Sequence, residues 1–319
     1  MKVAIISDIK EIERLWRAFS PNETLWDEWD FIKPLYQPDY FTPHGLLLID
    51  DREREIGFWP LWLEKELNRY YTFGGDYMED TKFWFPLEYF PLMFQKLQAT
   101  KLFDMNGQVA QAVVSKYPEY QKYFWPAHNR YFLTPAKFNY STAEYLTSFG
   151  KKHRYNLLRD LKKLQTLNYE LAWESNEHFD DLIALSVQRF GEESDFIDGY
   201  FVEQMRQMVN YLVARGELHT LVVRIGGRLV ALELAAEFKN VWYVLNGGQE
   251  DGIDNLGKLL IMEHIKEACL RRCQEINFLA GDTGWKRLWN LEREQYYNFA
   301  TPDYQPVSPE DNENDQLEI

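Results

Sequence analysis

Residues 246–258 have the sequence Asn-Gly-Gly-Gln-Glu-Asp-Gly-Ile-Asp-Asn-Leu-Gly-Lys, and this stretch decides the fold. The apolar run Val241–Leu245 before it predicts a strand. The segment Asp254–Cys273 that follows carries apolar residues at helical spacing and predicts a long helix: Leu256, Leu259, Met262, Ile265, Cys269 and Cys273. A strand, a glycine-rich loop and a long helix therefore follow one another, as in an α/β protein.

Strand and turn patterns surround this stretch. Leu221–Ile225 and Leu229–Phe238 are apolar runs that predict two strands. Between them, Gly226 and Gly227 supply the positive φ angles of a tight turn. After the helix, Glu275–Leu279 predicts a further strand.

The first half of the chain repeats this order after an opening amphipathic helix. Tyr71–Asp76 has the form of Val244–Gln249, and Lys101–Gly107 has the form of Glu275–Gly281. The interval between equivalent glycines is 107 − 74 = 33 residues in the first half and 281 − 247 = 34 in the second. The agreement predicts a tandem duplication of one α/β unit.

A chain of 319 residues is longer than a single hydrophobic core usually accommodates, so we expect two domains. We place them at residues 1–140 and 141–305, with the join between Pro126 and Ser148. Residues 306–319 are acidic and almost without apolar side chains, which predicts a disordered tail.

The composition excludes several classes of protein. A content of 45% hydrophobic and 16% aromatic residues is incompatible with intrinsic disorder of the whole chain. The formal net charge of −15 opposes non-specific binding of nucleic acid, so we expect no DNA partner.

Neither targeting nor metal signals stand out. Residues 1–11 carry scattered charges without an apolar core, and no run of 18 apolar residues occurs, so we expect a cytoplasmic protein without a membrane span. Cys269 and Cys273 lie one helical turn apart and form neither a disulfide framework nor a zinc quartet. We predict no metal.

The start of the long helix is a candidate phosphate site. Free N–H groups and the helix dipole favour an anion there. Gly257 lets the anion approach the backbone, Lys258 adds a positive charge, and Asp254 or Asn255 caps the helix. The alternative interpretation is an ordinary capped helix after a loop.

A second candidate is the stretch Gly281–Trp289. Gly281 and Gly284 bracket a turn that presents Asp282 at the carboxyl end of a strand, where ligands bind in open α/β sheets. Lys286 follows four residues later, and the alternative is that these two side chains simply pair.

A third candidate is a basic cluster on this acidic chain. Lys151-Lys152-His153-Arg154 opens a helix, where cations oppose the helix dipole. The cluster therefore favours a bound anion, such as a phosphate group of coenzyme A, tRNA or an anionic glycan precursor. The alternative is a solvated face. The predicted substrate- or anion-binding residues are Lys151, Lys152, Arg154, Trp285 and Trp289.

Four motifs together carry a resemblance: Gly226-Gly227-Arg228, Asn246-Gly247-Gly248, Leu256-Gly257-Lys258-Leu259-Leu260 and Gly281-Asp282-Thr283-Gly284-Trp285-Lys286-Arg287-Leu288-Trp289. Over residues 145–290 the chain resembles the GNAT-fold acyltransferase superfamily. Within it, the pattern is similar to the CelD/BcsL-like (BioF2-like) acetyltransferase branch, which is related to the FemAB transferases. That branch has a proline at the position of Leu256 and a tyrosine at the position of Trp285.

The resemblance implies an α/β (α+β) fold with tandem GNAT-like domains, each a mixed, mostly antiparallel sheet flanked by helices. The first domain is expected to be degenerate and the second to be the working acyltransferase. Acyl-CoA (acetyl-CoA) is the implied co-substrate, between the strands Val241–Leu245 and Glu275–Leu279. The implied cofactor-binding residues are Leu245, Gly247, Gly248, Leu256, Gly257, Lys258 and Lys286. Leu259 replaces a small residue of the family, which is expected to crowd the pyrophosphate and to leave room for aminoacyl-tRNA.

Direct N-acyl transfer requires a base for the amine and alignment of the reactants. Glu233 is the first candidate base because it interrupts an apolar strand, and Glu237 shares its face. The alternative is that both carboxylates face solvent. Asp282 is the second candidate catalytic residue. Tyr243 is a candidate acid for the leaving thiolate, unless it is a packed core residue.

The sequence therefore supports three functions. The first is transfer of an acyl group from acyl-CoA to a small-molecule or peptide amine. The second is a FemAB-like transfer from aminoacyl-tRNA to a peptide or cell-wall precursor, with tRNA a partner only in this case. The third is a non-catalytic GNAT-fold binding protein.

Overall fold

The computed structural model describes residues 1–175, 178–281 and 284–305, so the predicted tail over 306–319 lies outside the described residues. In chain order the strands are β1 Lys2–Ile6, β2 Phe41–Pro43, β3 Gly45–Ile49, β4 Glu55–Trp59, β5 Leu61–Glu64, β6 Arg69–Thr72, β7 Thr100–Met105, β8 Phe124–Leu133, β9 Tyr169–Glu174, β10 Leu218–Ile225, β11 Arg228–Phe238, β12 Val241–Gln249, β13 Glu275–Asn277 and β14 Glu292–Ala300. The α-helices are α1 Ile9–Phe19, α2 Trp29–Ile32, α3 Phe90–Phe94, α4 Gly107–Lys116, α5 Thr142–Thr147, α6 Lys151–Gln165, α7 Phe179–Phe190, α8 Gly199–Arg215 and α9 Leu256–Arg271.

The chain divides into two compact units whose bounds differ from the predicted 1–140 and 141–305. Unit 1 contains Met1–Arg130 together with the segment from Glu294 onward, and unit 2 is Tyr131–Arg293. The difference has a physical cause, because β14 pairs antiparallel with β7 of the first unit. The last strand of the predicted second domain therefore belongs mainly to unit 1.

Unit 1 contains two sheets. One has the strand order β1-β3-β4, and the other has the order β2-β5-β6-β7-β14. The apolar stretch Ile56–Leu63 is interrupted at Pro60, and the strands on the two sides of this proline, β4 and β5, lie in different sheets. Proline has no N–H for a ladder hydrogen bond, so this break is the expected place for the chain to change sheets.

Unit 2 is built on one mixed sheet. Its neighbours β9-β10-β11-β12 pair antiparallel, β12 pairs parallel with β13, and β13 pairs antiparallel with the end of β8. The tight turn between β10 and β11 has φ angles of 59° at Gly226 and 80° at Gly227, as its glycines predicted.

The two units share one element of topology that matches the predicted duplication. In unit 1 the strand before the Gly-Gly pair, β6, pairs parallel with β7, and in unit 2 β12 pairs parallel with β13. The connections differ, however. The 16-residue helix α9 joins the strands in unit 2, whereas the predicted helix of unit 1 is only the five-residue α3.

Helices cover both faces of the sheet in unit 2. On one face, α6 and α9 contribute Leu164, Leu256, Leu259 and Leu260 to a buried cluster with residues of β10 and β11. On the other face, α7 packs against β12, where Leu182 and Leu185 approach Gly248. A side chain on β11 or β12 therefore faces either α9 or α7, according to the strand alternation.

Candidate functional site

The strands β12 and β13 part after a short parallel contact. They pair only from Val241 and Glu275 to Tyr243 and Asn277, while β12 continues to Gln249. The opposite edge of β13 stays bonded to β8. The backbone edge of β12 beyond Tyr243 is therefore not paired with β13, and the resemblance implied the donor between these two strands.

A β-bulge lies on the open part of β12. Glu233 pairs with Gly247 and Ala235 pairs with Val244, so two residues of β12, Leu245 and Asn246, oppose one residue of β11. A bulge of this kind disrupts the ladder locally and re-aims the strand. Gly247 and Gly248 belong to the strand, so the sequence prediction of a loop at these glycines was wrong.

The two glycines are required by close packing. A Cβ atom on Gly247 would lie 2.5 Å from Cγ of Glu233, so the missing side chain makes room for that carboxylate over β12. A Cβ atom on Gly248 would lie 2.9 Å from Cβ of Leu185 on the opposite face. Gly248 therefore has a packing role against α7.

The start of α9 is open at Gly257. A Cβ atom there would meet only the Oε1 atom of Gln249, at 3.6 Å. The Asn255 carbonyl accepts from the N–H groups of Lys258 and Leu259, at 3.0 and 3.3 Å. Asn255 occupies the N-cap without a capping side-chain bond, so the N–H group of the half-buried Gly257 is the one available to an anion.

Two leucines of the predicted motif pack in the core. Leu256 is 1% exposed and Leu259 is 4% exposed, and both belong to the cluster between α6, α9 and the sheet. Leu256, which we predicted as cofactor-binding, is therefore a packing residue. The side chain of Leu259 likewise fills the core.

Lys258 is held by an ion pair with α6. Its Nζ atom donates to Oδ2 of Asp160 at 2.7 Å and to Oδ1 of Asn255 at 2.8 Å. Arg159 donates to Oδ1 of Asp160 at 2.8 Å. These hydrogen bonds lower the pKa of Asp160 to about 2. One carboxylate therefore aligns two cations and leaves the group with a net positive charge.

A basic cavity of about 700 Å³ opens beside this group. It is lined by Gly150, Lys151, Lys152, His153, Asn156, Leu157, Arg159, Asp160, Lys258, Leu288 and Trp289. Gly150 is the N-cap of α6 and makes no side-chain capping bond, so the first N–H groups of this helix add to the positive field. The structure thus brings together residues that were predicted separately. Lys258 was predicted as cofactor-binding, and Lys151, Lys152 and Trp289 were predicted as substrate- or anion-binding.

Other predicted binding residues lie elsewhere. Arg154 and Trp285 do not line the basic cavity, and Trp285 packs edge-on against Phe278 at 6.1 Å. Lys286 is 5% exposed, and its ammonium group donates to the carbonyls of Leu279 and Ala280 at 3.1 and 2.7 Å. Lys286 therefore holds the turn that follows β13, where Leu279 has a φ angle of 63°.

Glu233 faces α9 and is anchored there. Its Oε2 atom lies 2.6 Å from Nε2 of His264, and the Nδ1 atom of that histidine accepts from Nε1 of Trp242 at 3.0 Å. Tyr243 pairs with Ala236 and therefore projects to the opposite, α7 face of the sheet. The structure does not bring Glu233 and Tyr243 together, and Asp282 lies outside the described residues.

Sequence reasoning missed His264 and Trp242. His264 is fully buried, yet it lies 31 positions from Glu233 along the chain. The signal available for His264 was that a polar residue lies next to Ile265, beside the apolar stripe of α9. Asp160 was also missed, because its partner Lys258 is 98 positions away.

Comparison with known families agrees with this geometry. Residues 151–287 match the model of the acetyltransferase (GNAT) domain. This GNAT domain match begins with α6 and ends after Lys286, so it includes Glu233, the splayed strands and the start of α9. No curated protein sequence matches the chain.

Solved structures of similar fold cover nearly the whole chain. The crystal structure of FemX has a TM-score of 0.59 at 11% identity, over 94% of this chain and 98% of that one. The structure of L-PGS from Bacillus licheniformis has a TM-score of 0.58 at 12% identity, over 96% of each chain. A tandem GNAT protein from the clavulanic acid biosynthesis pathway has a TM-score of 0.51 at 9% identity, over 94% and 98%.

These similarities concern the fold. They confirm the predicted fold class, with GNAT-like tandem architecture and mixed, mostly antiparallel sheets flanked by helices. The GNAT domain match covers residues 151–287 and does not select a reaction. Among the described residues, no helix is both long and apolar enough to cross a membrane.

Proposed function

We propose that the chain is an N-acyltransferase that moves an acyl group from acyl-CoA directly to the amine of a small molecule or peptide. The observation that carries this proposal is the parting of β12 from β13 beside the open start of α9 at Gly257. The edge of β12 that is not paired with β13 and the N–H group of the half-buried Gly257 suit an extended donor that carries a pyrophosphate. Membership of the CelD/BcsL-like branch and a cytoplasmic location remain parts of this proposal.

Glu233 is the proposed base. Its carboxylate lies over Gly247, on the part of β12 that has left β13, and its side chain is 20% exposed. In the reaction the amine nitrogen forms a bond to the thioester carbonyl carbon, and the nitrogen passes its proton to Glu233. The carbon–sulfur bond then breaks, and the thiolate takes a proton from water.

The basic cavity supports binding of an anionic part of the donor or the acceptor. Lys151 and Lys152 supply exposed charges, Lys258 is aligned by Asp160, and Trp289 offers an apolar wall. Phosphate groups are the anions best suited to several cations at the start of a helix.

Thermal unfolding with acetyl-CoA and free CoA tests the proposal. At 100 times the dissociation constant a ligand of the native state adds about 2.7 kcal/mol of stability. We expect Gly257→Trp to abolish the shift, because the indole fills the opening at the start of α9. Gly199→Trp is the matched control, since Gly199 starts the helix α8 with no atoms near its Cβ position. No shift with either ligand, or equal shifts in both variants, contradicts the proposal. Binding without turnover of any amine favours the non-catalytic alternative.

The basic cavity also favours the second candidate, a FemAB-like aminoacyl transfer from aminoacyl-tRNA to a peptide or cell-wall precursor. This function predicts tRNA retention that weakens with salt. Neutralising Lys151, Lys152 and Arg154 should remove the retention, whereas neutralising Lys162 and Lys163 in the last turn of α6 should preserve most of it. Equal losses in both variants exclude a specific site at the cavity.

A further inference from the structure

A buried hydrogen-bonded chain supports the carboxylate of Glu233. His264 on α9 has no exposed surface, and its Nε2 atom lies 2.6 Å from Oε2 of Glu233. On the other side of the ring, Nδ1 accepts from Nε1 of Trp242 at 3.0 Å. Trp242 is also fully buried, so water does not compete for either contact.

The indole fixes the tautomer of the imidazole. A tryptophan side chain has one N–H and can only donate, so Nδ1 of His264 must be the acceptor. The ring proton therefore lies on Nε2, where it is donated to Glu233. A doubly protonated ring would direct its second N–H at the N–H of Trp242, and two buried donors would face each other.

Aromatic and charged side chains of the neighbouring elements surround the hydrogen-bonded chain of Glu233, His264 and Trp242. Trp173 of β9 lies edge-on to His264 at 5.2 Å, and His219 of β10 stacks on Trp242 at 5.0 Å. Burial lowers the pKa of His219. The charged groups beside this stack are Arg271, which lies 5.3 Å from the ring of Trp242, and the two carboxylates that accept from Arg271, Glu237 at 2.9 Å and Glu267 at 2.7 Å.

We propose that His264 is a positioning residue, a neutral Nε2–H donor whose tautomer is fixed by Trp242. It holds the Oε2 atom of Glu233 and leaves the Oε1 atom as the one that accepts a proton from the amine. Because no imidazolium forms, Glu233 is not paired with a cation during the reaction. This inference rests on the proposed acyl transfer for its role, but the tautomer itself is measured without substrate.

The first test is nitrogen NMR of the full chain labelled with ¹⁵N-histidine. Loss of a ring signal in His264→Gln assigns His264. We expect the Nε2–H tautomer in the wild type at neutral pH. In Trp242→Phe the ring nitrogen shifts of His264 should differ from those of the wild type, because the N–H that donates to Nδ1 is gone. His153 in the basic cavity should behave alike in both proteins. A proton on Nδ1 of the wild type at neutral pH overturns the proposal.

The second test separates positioning from structure by acyl transfer from acetyl-CoA to a panel of small amines, followed as free thiol. His264→Gln keeps an N–H donor near the Nε2 position and should retain kcat. His264→Asn keeps an acceptor for Trp242 but is too short for Glu233, and kcat should fall about 10- to 100-fold with KM for acetyl-CoA unchanged. Equal losses in both variants refute the positioning role. Absence of transfer in the wild type refutes the proposed function instead, and the NMR result still decides the tautomer.

Discussion

Replacing Gly247 by alanine tests whether this glycine exists to make room for Glu233. The new Cβ would lie 2.5 Å from Cγ and 3.2 Å from Cδ of Glu233, whereas carbon atoms normally pack about 3.5–4.0 Å apart. The carboxylate must therefore move by about 1 Å, and its 2.6 Å hydrogen bond to His264 breaks. The φ of Gly247 is not positive, so alanine adds no backbone strain.

The expected loss follows from this bond. A hydrogen bond to a charged group contributes about 1.5–3 kcal/mol, and alanine in a strand returns about 0.5–1 kcal/mol relative to glycine. The free energy of unfolding should therefore fall by about 1–2 kcal/mol in urea titrations. Gly199→Ala, where no atom lies within 4 Å, is the control.

A double-mutant cycle decides the cause. Glu233→Ala removes the Cγ atom that the new methyl group strikes, so Gly247→Ala in this background should be neutral or stabilising. If Gly247→Ala lowers stability equally with and without the Glu233 side chain, the steric explanation is refuted.

Three further outcomes are expected. The pKa of Asp160 is about 2 in the folded protein and near 3.9 in an unfolded chain. Its pairing with Lys258 therefore stabilises the fold above about pH 4, and this stabilisation is lost as the pH falls towards 2. In urea titrations at pH 6 and pH 3, Asp160→Asn should lose less stability on acidification than the wild type, and equal losses contradict the pairing. Burial raises the pKa of Cys269 to about 11 and of Cys273 to about 12, so a disulfide reagent at pH 8 should label both only after unfolding. Rapid labelling of the native protein would exclude this burial. Lys286→Met removes the ammonium group that donates to the Leu279 and Ala280 carbonyls and should lower the free energy of unfolding by about 1–3 kcal/mol, whereas weaker acetyl-CoA binding at unchanged stability would restore its predicted role as a cofactor ligand.

The fold was predictable where the pattern is local. The periodicity of α9 and the glycine turn between β10 and β11 both depend on neighbouring residues, and both agree with the structure. The strand β12 was predicted to end at Leu245 because glycines usually mark turns. It continues to Gln249 because Gly247 and Gly248 are needed for close contacts on its two faces.

The candidate site was predictable only as single residues. Lys258, Lys151 and Trp289 were chosen from separate motifs, and their meeting at one cavity required the packing of α6 against α9. Lys286 looked like a ligand for an anion, but the turn after β13 exposes carbonyls that it satisfies. No local pattern reveals that a buried histidine and tryptophan support Glu233.

The discontinuous composition of unit 1 has a consequence for biosynthesis. The strand β7 needs β14 as a neighbour, and all of Tyr131–Arg293 is translated between them. Unit 2 can therefore fold before β14 has been synthesised, while β7 of unit 1 still lacks this neighbouring strand. During that interval the unpaired edge of β7 exposes backbone groups to unwanted strand partners. Unit 1 is therefore the part of the chain that most needs protection by a chaperone.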